Sequence, residues 1–134
     1  MLLAVLTTIT WLAALPSNVS KDCYVNPCTL QGDFDGDGKP DEAIAVVETE
    51  PTGRRGVAIV MSTGKTFLLG AGTAIGNGGA DFDWMDAWRV IPKKDTARSL
   101  KGAAGDGLLV EKTESAGGLI GFVKGRPRWK QWAD

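Results

Sequence analysis

Four aspartates separated mostly by single small or apolar residues lie in one short segment, and they are the side chains best placed to do chemistry. Asp33 to Asp41 reads D-F-D-G-D-G-K-P-D, so carboxylates fall at positions 1, 3, 5 and 9 of the segment. Calcium accepts roughly six to eight oxygen ligands in a flexible shell, and the two intervening glycines permit a tight turn. The spacing predicts a Ca²⁺ site in loop 33–41, with these ligands: Asp33, Asp35, Asp37, Asp41 and the backbone carbonyl of Lys39.

The segment from Gly32 to Val47 resembles the calcium loops of FG-GAP and VCBS-type repeats, the integrin-like propeller modules. The resemblance implies the same four carboxylates and the Lys39 carbonyl as ligands. This sequence contains one copy of the motif, whereas a propeller needs several blades. An EF-hand would carry a bidentate glutamate at position 12, where this chain has Ile44. A solvated Asp/Gly turn without a metal is the alternative interpretation.

Candidate catalytic groups are scarce. Ser115 would need a base to act as a nucleophile, and the chain has no histidine. Asp81, Asp83 and Asp86 could form a second cation site or a carboxylate pair, but we favour a polar loop that caps a helix. A glycosidase needs two carboxylates facing each other across a cleft, and no convincing pair remains once loop 33–41 is assigned to a metal. We therefore predict a protein that is not an enzyme, with a small Asp-dependent hydrolase as an alternative.

The charge balance excludes a general attraction to polyanions. The 134-residue chain has a formal net charge of −1, so no global field draws it to nucleic acid or to a membrane surface. Basic residues concentrate near the C-terminus, where Arg128, Lys130 and Trp132 alternate with Trp129 and Gln131. Period-two geometry places these two sets on opposite faces of a strand. We interpret this strand as a solvated sheet edge guarded by cations.

The first residues and the cysteines both predict export. Residues 1–16 are apolar and uncharged and have the length of a signal-peptide core, too short for a comfortable membrane span. A buried first strand or helix is the alternative. Cys23 and Cys28 enclose a turn-forming Asn-Pro pair and predict a disulfide in an oxidising compartment; in the cytosol they would be two free thiols. The expected location is periplasmic or secreted, with no stable membrane span after leader removal.

Residues 17–134 are expected to form a single β-rich domain. The fold predicted is all-β, with mostly antiparallel hairpins in a compact sandwich or partial barrel. No segment shows a long helical period, so at most one short helix is expected, near residues 81–87 or 96–101. The predicted strands are 29–34, 43–48, 56–62, 66–69, 88–92, 107–112, 119–123 and 128–132.

The loops are the expected place of function, because small residues on a rigid scaffold suit contact with a partner. We predict that the hairpin tip Ser115, Ala116, Gly117 and Gly118 inserts into a partner's cleft, with the glycine-rich loop Gly70 to Ala80 as the second candidate. Most tryptophans should fill the core, and an exposed binding cluster is the alternative. The predicted protein acts in the cell envelope as an inhibitor or immunity protein does. A cell-wall hydrolase is one candidate partner, and a carbohydrate-binding module is an alternative function.

Overall fold

The computed structural model describes residues 15–133, which form two antiparallel β-sheets and one short α-helix. Most of the predicted signal peptide, residues 1–14, lies outside the described residues. The two sheets do not close into a barrel, so the all-β prediction is confirmed in its sandwich form. The elements are β1 Val19–Lys21, β2 Thr29–Gly32, β3 Asp41–Glu48, β4 Arg55–Val60, β5 Thr66–Gly70, β6 Ala87–Ile91, α1 Lys93–Ser99, β7 Gly107–Lys112, β8 Ala116–Val123 and β9 Arg126–Ala133.

The first sheet is built around β3, which is apolar on both faces. Strands β1 and β2 pair with different halves of β3, and β4 and β5 extend the sheet on its other side. Ala43 and Ala45 face the core between the sheets, whereas Ile44 and Val46 pack in a second cluster on the outer face. This alternation follows from the two-residue period of a strand. Because β3 is apolar on both faces, it reads in the sequence as a continuous hydrophobic run.

The second sheet is a meander in the order β6-β7-β8-β9. Leu108 pairs with Ile120 on the inner face, and Leu109 pairs with Leu119 on the outer face. Trp129 lies opposite Ile120 and packs against the inter-sheet core. Trp132 packs against the outer cluster instead. The predicted separation of these tryptophans onto opposite faces is therefore confirmed.

The helix, Lys93–Ser99, overlaps the second of the two predicted positions and begins three residues before it. It begins after Pro92 and covers part of the outer face of the second sheet, where Thr96 is buried and its hydroxyl donates to the carbonyl of Ile91 at 3.1 Å. A Cβ at Gly107 would lie 2.6 Å from the Thr96 hydroxyl, so the strand needs glycine there to admit the helix. Within residues 15–133, no helix is long and apolar enough to cross a membrane.

Cys23 and Cys28 form a disulfide, as the sequence predicts. The loop that they close lies against both sheets. The Tyr24 hydroxyl donates to the carbonyl of Gly56 at 2.8 Å, and Trp88 Nε1 donates to the carbonyl of Pro27 at 2.8 Å. Burial raises the pKa of Tyr24 well above its usual value, so this donor keeps its proton. A disulfide of this kind is typical of an oxidising, extracytoplasmic environment.

We expect the Cys23→Ser/Cys28→Ser double variant to lose about 2 kcal/mol of stability, because a disulfide removes the loop-closure entropy of even a short loop from the unfolded chain. Its melting temperature should fall by several degrees. A reductant should lower the melting temperature of the wild type by a similar amount and leave the double variant unchanged. Protein isolated from its native host and denatured without reductant should carry no alkylatable thiol; two such thiols would contradict the predicted compartment.

Candidate functional site

Asp33, Asp35 and Asp37 converge at the acidic loop between β2 and β3. Each offers a carboxylate oxygen, and these oxygens all lie within 4.8 Å of one another. Asp33 Oδ2 accepts a hydrogen bond from the backbone N–H of Gly38 at 2.8 Å, whereas its Oδ1 is buried without a hydrogen-bond partner. A buried carboxylate oxygen without a partner is costly, and a cation would supply the missing interaction. The cluster could therefore hold a metal ion.

Hydrogen bonds within the acidic loop keep its carboxylates close together. The Asp37 N–H donates to Asp35 Oδ1 at 3.2 Å, and the Lys39 N–H donates to Asp37 Oδ1 at 2.9 Å. The hydroxyl of Ser62 donates to Asp37 Oδ2 at 3.1 Å. The turn depends on Gly36 and Gly38, which both adopt positive φ angles. Such angles favour glycine.

The electrostatics of the loop also fit a cation. Desolvation raises the pKa of Asp35, and the negative charges of Asp41 and Asp37 raise it further, against the lowering effect of the Asp37 N–H. The pKa of Asp37 is lowered, mainly by the hydrogen bond from the Lys39 N–H. The two neighbouring carboxylates thus shift in opposite directions, Asp35 mainly because it is desolvated and Asp37 mainly because it accepts a backbone hydrogen bond, while the nearby negative charges add to the rise at Asp35. A bound cation would relieve the repulsion.

Asp41 lies outside the cluster of three and anchors the acidic loop. It is 1% exposed; its Oδ2 accepts the backbone N–H of Phe34 at 2.9 Å, and its Oδ1 accepts that of Ser62 at 2.8 Å. These bonds join the loop, the start of β3 and the end of β4. A carboxylate oxygen can accept more than one bond, so Asp41 could bind a cation while it accepts these two hydrogen bonds. The ligand roles of Asp41 and of the exposed Lys39 stay predictions.

The acidic loop is also tied to the second sheet, through a residue that the sequence analysis missed. The Asp33 N–H donates to Asp106 Oδ2 at 2.9 Å, and the Asp106 N–H donates to the Asp33 carbonyl at 2.8 Å. The backbones approach closely, since a Cβ at Gly36 would lie 2.1 Å from the Ala104 carbonyl oxygen. The only local signal was the run of small residues A-A-G-D-G at 103–107. The loop therefore joins the two sheets.

An open groove of about 340 Å³ lies elsewhere on the molecule, beside the hairpin between β7 and β8. It brings together the two loops that the sequence analysis singled out, since Asn77 comes from the glycine-rich loop and Ser115 from the hairpin. The other lining residues are Trp84, Lys112, Ala116, Gly117, Trp129 and Gln131.

The hairpin tip differs from the prediction in its boundaries. The turn comprises residues 113–115, and β8 begins at Ala116, so that Gly117 and Gly118 are buried strand residues. A Cβ at Gly118 would lie 2.0 Å from the Trp129 ring, so this glycine makes room for an indole on the next strand. From the sequence alone, such glycines are interpreted as part of a loop, because the ring that they accommodate comes from a separate strand. Of the four predicted tip residues, only Ser115 lies in the turn.

The carboxylates of the segment 81–86 accept backbone hydrogen bonds. Asp86 Oδ1 accepts the N–H and the hydroxyl of Thr113, both at 2.8 Å, which holds the hairpin turn; these bonds lower the pKa of Asp86. Asp81 Oδ1 accepts the N–H groups of Arg55 and Asp83. These contacts agree with the polar-loop interpretation, although the segment caps no helix.

The tryptophans of residues 15–133 are divided among the core, the outer cluster and the groove. Trp88 is buried, whereas Trp84 and Trp129 are half-buried, with their ring centroids 6.3 Å apart and their planes nearly perpendicular. Both indoles therefore form part of the wall of the groove.

Comparison with known proteins finds no match: no protein-family model, no curated protein and no solved structure matches this chain. The likeness of residues 32–47 to FG-GAP and VCBS loops stays a prediction from spacing.

Proposed function

We propose that the protein is an exported, non-enzymatic calcium-binding β module that acts by binding another protein in the cell envelope, as inhibitors and immunity proteins do. The observation that supports this most is the meeting of the two candidate loops at one groove with two half-buried tryptophans. Aromatic side chains are enriched at protein interfaces and often dominate their binding energy. The disulfide agrees with the proposed location.

Calcium is the ion that we propose for the acidic loop. Three clustered carboxylates offer hard oxygen ligands, and calcium tolerates the irregular geometry of a loop better than magnesium, which demands a near-ideal octahedron. Asp33, Asp35 and Asp37 would hold it, with Asp41 and the Lys39 carbonyl as the further predicted ligands. The ion would offset two of the negative charges of the loop, and its role would be to stabilise the joint between the two sheets that Asp33 and Asp106 form.

Ser115 is the proposed point of insertion into the partner. It is exposed at the edge of the groove, in a turn whose flanks are the paired strands β7 and β8. The turn is held by Asp86 through Thr113, so little order would have to be gained on binding. A small side chain on a rigid turn suits a narrow cleft, and a cell-wall hydrolase is a partner that offers one.

The Ser115→Trp variant should lose partner binding by about tenfold or more, because the added ring would clash in the cleft. The test is capture from envelope extract of the native host, with calcium and with a chelator, followed by affinity measurement on the captured protein. The matched control is Thr63→Trp, which places the same ring on the exposed turn between β4 and β5. A well-folded Ser115→Trp variant with unchanged affinity would remove Ser115 from the site.

A further inference from the structure

The groove contains two side-chain amides whose orientation is set by the protein itself. Gln131 Oε1 accepts hydrogen bonds from Trp129 Nε1 and from Asn77 Nδ2, both at 3.1 Å. With that oxygen occupied by two donors, the Gln131 amide presents its Nε2 as a donor. Asn77 in turn keeps its Oδ1 as an acceptor. One donor and one acceptor are thus arranged beside the tryptophans before any ligand binds.

The aromatic wall of the groove is equally constrained. A Cβ at Gly118 or at Gly76 would lie 2.0 Å or 2.5 Å from atoms of Trp129, so the indole is packed closely against both backbones. Trp84 Nε1 donates to the Gly78 carbonyl at 3.2 Å. Holding two indoles in place in advance lowers the entropy cost of binding a ligand against them. The glycines around Trp129 therefore have a positioning role.

We propose that this groove is a binding site for an N-acetylated sugar. The apolar C–H face of a pyranose ring would pack against an indole, as amphipathic rings commonly do. The acetamido carbonyl would accept from Gln131 Nε2, and the acetamido N–H would donate to Asn77 Oδ1. The volume of about 340 Å³ lies at the lower end of the range of roughly 300–1,000 Å³ for small-ligand sites.

The polar lining of the groove favours a sugar over an extended peptide. Peptides commonly bind by adding a strand to a free sheet edge through main-chain hydrogen bonds. The backbone of β8, which contributes Ala116 and Gly117, is already paired with β7 and β9, and the free edge of this sheet nearest to β8 is that of β9. The polar side chains that line the groove are the two amides, Lys112 and Ser115, and these groups suit the hydroxyls of a sugar ring. Sugar binding in the groove would be an activity separate from the proposed insertion of Ser115 into a protein partner, and it requires neither that partner nor calcium.

The test is a titration of the full chain with chitotriose, the trimer of N-acetylglucosamine, followed by tryptophan fluorescence and calorimetry. Cellotriose is the comparison, because it has similarly linked rings without the acetamido groups. We expect chitotriose to bind at least about tenfold more tightly than cellotriose, since a site built to hydrogen-bond a group discriminates against ligands lacking it. Equal affinity for the two, or no binding of chitotriose at about 10 mM, would overturn the proposal.

The sharpest variant is Gln131→Glu. It keeps the oxygen that accepts from Trp129 and Asn77 but replaces the Nε2 donor with an acceptor, so chitotriose affinity should fall about tenfold or more. The matched control is Lys130→Gln, which changes the charge equally on the adjacent residue, directed to the opposite face of β9. Undiminished binding by a folded Gln131→Glu variant would refute the site. Such a failure would leave the calcium shift and the capture of a protein partner as separate tests of the proposed function.

Discussion

The Asp41→Ala variant is expected to melt about 10 °C or more below the wild-type protein in the presence of a chelator. Asp41 is 1% exposed, and its two oxygens accept the backbone N–H groups of Phe34 and Ser62. Its removal leaves two N–H groups without partners, at about 1–3 kcal/mol each when they are buried. For a domain of this size, each kcal/mol lowers the melting temperature by several degrees.

Thermal denaturation in chelator separates this anchoring role from any role in metal binding. Asp83→Ala is the control, because it removes an exposed carboxylate from a loop outside the acidic segment. It should shift the melting temperature little. If Asp41→Ala melted within about 2 °C of the wild type, the two hydrogen bonds would contribute little, and the case for Asp41 as an anchor would fail.

Calcium is expected to raise the melting temperature of the wild type, and Asp35→Ala combined with Asp37→Ala should abolish the rise. Loops of extracellular modules bind calcium with Kd near 10⁻⁴–10⁻³ M. At about 10 mM calcium, mass action then adds about 1.4–2.7 kcal/mol. That free energy corresponds to about 5–10 °C. In chelator, the double variant loses the hydrogen bonds that Asp35 and Asp37 accept, but it also loses the repulsion between the two carboxylates, so the two effects on its melting temperature oppose each other.

The control for the calcium experiment is Asp83→Ala combined with Glu50→Ala. It removes the same number of charges from exposed positions outside the acidic loop, so it should keep the full calcium response. Magnesium at the same concentration should stabilise the wild type less, because the loop does not offer a rigid octahedron. A wild-type melting curve that calcium leaves unmoved would mean that the segment is an acidic turn without a metal.

The sequence determined the features that are encoded within a few neighbouring residues. Runs of β-forming residues bounded by turns predicted eight strands, and the structure has a strand at each of those positions. The disulfide could be predicted because Cys23 and Cys28 lie five positions apart. The cluster of Asp33, Asp35 and Asp37 could likewise be predicted, since all three side chains belong to one turn. Strand β1 was missed because its three residues carry too short a pattern to be recognised.

The tertiary structure alone decided which distant segments meet. Asp33 is hydrogen-bonded to Asp106, 73 positions away, and Asn77 reaches Gln131 across 54 positions. The role of Gly118 depends on an indole from the next strand. The pattern of a strand predicts which of its residues face the core. Which residues they contact there is set by the strand register and by the packing of the two sheets. The acidic turn could therefore be predicted from the spacing of its aspartates, whereas the groove forms only when the two sheets and their loops are assembled.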